Sequence, residues 1–143
     1  MKKILFTISL LALLVGCDNN HLASPDLING YWQIKQAENP KGAVKQYDFI
    51  ETVDFYSISD SVGVRKKAKP TMQGSFKVSE DQETFKMEIT KDTIFLHFEN
   101  IYDQRTDAIF DLSENLMKVK SGSTGLIFTY ERFEKIDFGD EEI

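Results

Sequence analysis

The residues that could do chemistry in this chain are few and scattered. It has one cysteine, Cys17, and two histidines, His21 and His97. A thiol–imidazole pair needs both groups held in one fold, and Cys17 and His21 lie ahead of every strand-like segment. His97 sits in Ile94-Phe95-Leu96-His97-Phe98, where alternation places it on the face opposite Ile94, Leu96 and Phe98. That position suits a solvent-facing or rim histidine better than a general base. Glu51, Asp54, Glu88, Asp107 and Asp111 supply carboxylates. Alternating with apolar neighbours, they read as the wet face of a sheet, and no spacing selects an acid–base pair. No zinc-ligand spacing, phosphate loop or Gly-rich nucleotide fingerprint is present. The residues predict a protein that is not an enzyme, holds no metal and uses no cofactor.

One cationic run stands out, Arg65-Lys66-Lys67-Ala68-Lys69-Pro70. Its plain reading is a solvated strand end, since charge protects an exposed edge from mispairing. Its functional reading is a patch formed by Arg65, Lys66, Lys67 and Lys69. Such a patch would steer an anionic partner: a lipid head group, a glycan or an acidic protein.

The N-terminus carries the more specific pattern. Lys2 and Lys3 give a cationic start, Ile4 to Val15 form an uncharged run of 12 residues, and Leu14-Val15-Gly16-Cys17 closes it. This is the tripartite layout of a secretory signal, and the run falls short of the roughly 20 residues a membrane-spanning helix needs. Leu-Val-Gly-Cys resembles the lipobox of bacterial lipoproteins. The resemblance implies cleavage between Gly16 and Cys17 and a diacylglycerol on the Cys17 sulfur, with acyl chains such as palmitate. Two acyl chains give stable attachment to a leaflet. The expected location is the cell envelope, lipid-anchored to the inner or outer membrane, with the domain outside the cytoplasm. Asp18 resembles an inner-membrane retention signal of enteric bacteria, a rule that does not extend to all phyla.

Removing residues 1–16 takes away Lys2 and Lys3, so the formal charge moves from −6 to −8. An acidic balance argues against nucleic-acid binding, which needs a basic face. With its sulfur occupied, Cys17 leaves the chain no disulfide and no thiol ligand. The 127 residues from Cys17 onward suffice for one domain, and a monomer is expected. They carry ten Phe, five Tyr and one Trp.

These aromatic residues recur with a period of two. Phe85, Met87 and Ile89, then Ile94, Leu96 and Phe98, flank Lys91-Asp92 and predict a β-hairpin. A second pair spans 116–120 and 126–133 around Gly122 and Gly125, placed where a turn needs positive φ. Further strands are expected at 31–36, 47–59, 63–67, 73–79 and 108–112, the second of these long enough to contain a bend. Turn residues at Asn39 to Gly42, Ser59 to Ser61, Ser79 to Asp81 and Ser113 to Asn115 separate them. The expected inward set is Phe76, Val78, Phe85, Met87, Ile89, Ile94, Leu96, Phe98, Phe110, Met117, Val119, Phe128 and Tyr130. Short strands at this spacing predict an all-β sandwich or barrel. The expected layout is signal 1–16, lipidated cysteine and tether 17–26, barrel 27–136 and acidic tail 137–143.

Gly30-Tyr31-Trp32 opens the first strand and Arg132 lies near the end of the last. This resembles the lipocalins, in which a Gly-x-Trp at the barrel start packs under an arginine of the final strand. The whole layout is similar to small lipocalin-like lipoproteins of Bacteroidetes. The resemblance implies a small antiparallel up-and-down β-barrel of about eight strands, closed by Gly30, Trp32 and Arg132. It departs from the family at the middle Thr-Asp-Tyr motif, for which Thr106-Asp107-Ala108 is only a partial echo. Two functions follow as expectations. One is a membrane-tethered barrel binding a small apolar ligand. The other is an envelope interaction or assembly protein with a filled barrel, acting through its surface on a protein partner.

Overall fold

The computed structural model describes residues 22–134. The signal stretch 1–16, Gly16, Cys17, Asp18, His21 and the tail 137–143 lie outside the described residues. A 3-10 turn, η1 (Pro25–Ile28), leads into nine strands: β1 (Gly30–Glu38), β2 (Val44–Gln46), β3 (Val53–Ser59), β4 (Val62–Pro70), β5 (Phe76–Ile89), β6 (Ile94–Glu99), β7 (Gln104–Leu112), β8 (Leu116–Lys120) and β9 (Ile127–Arg132). Each pairs antiparallel with its neighbour in the order β2-β1-β3-β4-β5-β6-β7-β8-β9, and β1 also pairs with β9. That last ladder, from Trp32 opposite Arg132 to Glu38 opposite Ile127, closes the sheet. Eight strands form the wall and β2 is an appendix, so the expected barrel is the observed one.

β2 has a simple origin. β3 pairs with the start of β1, Gly30 opposite Tyr56, and that register would bring Ile50 opposite Gln36. Gln46 is there instead. The segment expected at 47–59 is therefore an extruded loop followed by β3, with β2 ahead of the loop continuing the pairing along β1.

The hairpin reading of β5 and β6 holds, with Ile94, Leu96 and Phe98 buried and the alternate residues out. Elsewhere the period misleads. Segment 73–79 and the strand after it are a single β5 of 14 residues. The turn residues Ser79 to Asp81 fall at a break in the ladder, between Lys66 opposite Gln82 and Ala68 opposite Val78. There the Ser79 hydroxyl accepts from the Asp81 amide at 3.1 Å, which makes a bulge rather than a chain reversal. The reversal comes earlier, between Thr71 and Ser75, with Gly74 at φ 72°.

Beyond the bulge the hairpin end lies against the outside of the wall. Tyr31 and Phe55 alternate with inward Trp32 and Asp54, so they point outward. Phe76 stacks on Tyr31 with ring centres 3.7 Å apart and meets Phe133 edge-on at 5.7 Å. Phe76 thus belongs to an external aromatic cluster, Val78 and Ile89 are exposed, and Phe110 gives its inward place to fully buried Ile109. A register shift between Ile109 and Asp111 causes the last exchange.

Folding also begins earlier than Leu27. Leu22 bridges Leu112, and the Ala23 amide donates to the Leu112 carbonyl at 3.0 Å. The core proper is Ile28, Trp32, Tyr56, Phe85, Ile94, Leu96, Phe98, Ile109, Leu112, Met117, Val119 and Tyr130, with Ile34, Ile58, Met87 and Phe128 packed against it.

Candidate functional site

Two polar constellations sit inside this wall, one at each end. At the η1 end, Trp32 is fully buried and its indole N–H donates to the Ile28 carbonyl at 2.8 Å. Arg132 lies over the ring and donates to the carbonyls of Leu27, Asn29 and Glu114. Gly30, at φ 117°, passes directly beneath: a β-carbon there would stand 2.8 Å from Arg132 Nη1. The expected trio comes together, and it closes the floor.

The other constellation was not expected. Asp54 on β3, Arg65 and Lys67 on β4, Glu83 on β5, and Arg105 and Asp107 on β7 occupy inward positions on the half of the barrel away from η1. Asp54 is 1% exposed and Asp107 6%. Arg65 Nη2 donates to Asp54 Oδ2 at 3.1 Å, and its Nη1 lies 3.5 Å from Glu83. Glu83 also accepts from Arg105 Nη1 at 2.7 Å, so one carboxylate bridges two guanidiniums. Arg105 reaches on to Asp107, whose other oxygen accepts from the Gly122 amide at 3.0 Å. Beneath, the Arg105 guanidinium rests 4.0 Å from the centre of the Phe98 ring.

Two buried atoms of this network have no hydrogen-bond partner, Asp54 Oδ1 and Arg65 Nε. Lys67 Nζ approaches Oδ1 to 2.5 Å as an ion pair, and its side chain is 54% exposed. The environment shifts several groups. Burial, moderated by Arg65, holds the Tyr56 hydroxyl far above its ordinary value. Burial does the same to Tyr130. Both stay neutral. Burial opposes the charge on Arg65, but the charge and hydrogen bond of Asp54 help to leave it more firmly protonated than usual. Glu83 is pushed up by burial, and its hydrogen bond and attraction to Arg105, with help from Arg65, bring it below the ordinary carboxylate value.

The network opens to solvent at the β4–β5 bulge. A pocket of about 380 Å³ there is lined by Asp54, Arg65, Lys66, Lys67, Ser79, Asp81, Gln82 and Glu83. A wider, open depression of about 680 Å³ lies along β5, β6 and β7 and includes His97 and Thr106. Residues 28–119 match the family model of a lipocalin-like domain. The chain belongs to the lipocalin-like domain family. No curated protein and no solved structure matches it.

Within this lipocalin-like barrel the cationic run is not one surface. Alternation sends Arg65 and Lys67 inward onto Asp54, while Lys69 pairs outside with Glu51 at 3.7 Å and Lys66 lies on the face opposite Arg65 and Lys67. The carboxylates divide likewise. Asp54 and Asp107 are buried inside rather than on the wet face, whereas Glu51 and Glu88 are exposed. His97 lies on the outer face as expected, bridging Thr106 Oγ1 and Glu88 Oε2 at 2.9 Å each. Among the described residues no group of three His, Cys, Asp or Glu could hold a metal. The interior ion pairs had one sequence signal: Asp54 falls in a segment with apolar residues on both faces, so either face could have been the inner one, whereas around Arg65 only the opposite face, Val62, Val64 and Ala68, is apolar.

Proposed function

We propose that this lipocalin-like protein is a lipid-anchored component of the bacterial cell envelope that binds a small ligand in the upper half of its barrel. The observation that carries the binding part is the buried ion network, with Arg65 Nε unpartnered and Asp54 Oδ1 met only by half-exposed Lys67, open to solvent at the β4–β5 bulge. In the apolar half twelve buried side chains pack on one another. The ligand is therefore met by charged and polar groups, which turns the expectation away from an apolar molecule. The anchor rests on Leu14-Val15-Gly16-Cys17. The protein acts by binding rather than catalysis: its one histidine inside the fold sits on the outer face, tied to Thr106 and Glu88.

A second reading, a filled barrel working through its surface, is favoured by the β6–β7 loop. Ile101 and Tyr102 stand there 87% and 91% exposed. Side by side at a loop tip, they have the character of a contact point for an envelope protein.

Native mass spectrometry of the protein released from membranes tests both parts of the first reading. The expected result is a chain beginning at Cys17 with a covalent diacylglycerol, plus a reproducible non-covalent mass that leaves on denaturation. An uncleaved or unlipidated chain overturns the anchor. A bare chain with no additional mass favours the surface reading.

A further inference from the structure

We propose that the opening at the β4–β5 bulge recognises a small neutral ligand through its hydroxyl groups, a polyol or a saccharide, with Asp54 accepting and Arg65 donating. The inference rests on the ligand-binding reading above and names the ligand class.

Three observations converge on it. The first is an incompletely satisfied pair. Arg65 Nε is a buried donor without a hydrogen-bond partner, and Asp54 Oδ1 is a buried acceptor met only by the half-exposed Lys67 ammonium at 2.5 Å, on side chains already bonded to each other through Oδ2 and Nη2. An unsatisfied buried polar atom is costly, and a hydroxyl is the simplest group that both donates and accepts. The second is the charge balance. Of the eight lining residues, Arg65, Lys66 and Lys67 are cationic, Asp54, Asp81 and Glu83 are anionic, and Ser79 and Gln82 are neutral and polar. The opening thus has no net charge to select an ion, and no apolar side chain to select a hydrocarbon. A ligand rich in paired donors and acceptors fits both facts. The third is rigidity behind and movement in front. Glu83, clasped by both Arg65 and Arg105, fixes the Arg65 fork before any ligand arrives. Lys67 is the half-exposed partner of Asp54 and the one that can swing away. A volume of about 380 Å³ lies within the range of small-molecule sites.

The chain has three arginines, Arg65, Arg105 and Arg132, so side-chain Nε–H signals of the 15N-labelled protein are few enough to assign by substitution. The full-length protein in a zwitterionic detergent free of sugar head groups is titrated with methyl glucoside, myo-inositol and glycerol. Glycine betaine and inorganic phosphate serve as the zwitterionic and anionic comparisons. The expected result is a saturable shift of the Arg65 signal with a hydroxyl compound, the Arg132 signal staying still. Saturation by methyl glucoside alone identifies a saccharide site, and saturation by all three a polyol site. Asp54→Asn should weaken the response at least tenfold. Lys67→Met should keep or strengthen it, since it removes the competitor for Oδ1 and needs no buried group. An unmoved Arg65 signal with all three hydroxyl compounds, or a response only to betaine or phosphate, overturns the proposal. If native mass spectrometry still finds a bound mass, ligand binding survives and only the hydroxyl class fails.

Discussion

Arg132 stands 4.2 Å from the centre of the Trp32 ring while its three nitrogens donate to three separate backbone carbonyls. One side chain thereby joins η1, the start of β1 and the β7–β8 turn. The guanidinium is suited to this because it is flat enough to lie on an indole and forked enough to reach several acceptors. Trp32→Ala should cost about 3–5 kcal/mol, the range for removing a buried large aromatic side chain. Urea unfolding measures it. An unchanged midpoint would mean that the indole is not part of the core.

Arg132→Lys keeps the charge and loses the fork. A single ammonium cannot cover three carbonyls of this spread and stack on the ring, so unfolding should come at clearly lower urea. Equal stability of the lysine variant would reduce the contact to simple charge.

Gly30 has two reasons to be glycine: φ of 117° and the 2.8 Å approach of Arg132 Nη1 to where a β-carbon would sit. Gly30→Ala should destabilise by more than about 1 kcal/mol. In an Arg132→Ala background the steric part disappears and only the backbone strain remains. The two costs should therefore be non-additive in a double-mutant cycle.

Gly122 is different in kind. Its φ is not positive, although the sequence expectation placed it in that region with Gly125, which does have φ 70°. A β-carbon on Gly122 would stand 2.1 Å from the Thr106 carbonyl oxygen, and its amide serves Asp107. Gly122→Ala should push the β8–β9 turn off β7 and break that bond. Loss of protection of the Gly122 amide in hydrogen exchange is the readout.

Glu83 gives the network a pH dependence. Its carboxyl is held below the ordinary value in the fold, so its contribution is present above the unfolded value and vanishes as pH falls through the folded one. Thermal midpoints between about pH 6 and about pH 3 should fall further for the native protein than for Glu83→Gln. Parallel curves would mean that Glu83 is not coupled to folding.

The wall of the barrel was largely legible in the sequence because β6, β8 and β9 each bury one face cleanly, and the period of two declares it. The floor was legible for another reason: Gly30-Tyr31-Trp32 at one end of the barrel segment and Arg132 at the other resemble the lipocalin pattern, which implies that they meet. The upper interior was not legible. Asp54 lies between Val53 and Phe55, and Val53 is buried although it shares the outward face of Phe55, the face on which the β4–β5 hairpin end brings Phe76 onto Tyr31. That is a contact between residues 45 positions apart that no local pattern announces. Once the outer face is partly apolar, alternation no longer tells inside from outside, and charged residues pass unnoticed into the interior.

The bridge from Leu22 to Leu112 fixes where the chain leaves the barrel, beside η1 and at the closed floor. Leu22 comes five positions after Cys17, a reach of at most about 18 Å. With the proposed lipid on Cys17 the floor would be moored close to the bilayer, and the opening beside Asp54 and Lys67 would face the aqueous space. Under the proposed anchor such a cup would fill from the water and not from the hydrocarbon, so the proposed cargo would be one that dissolves in water.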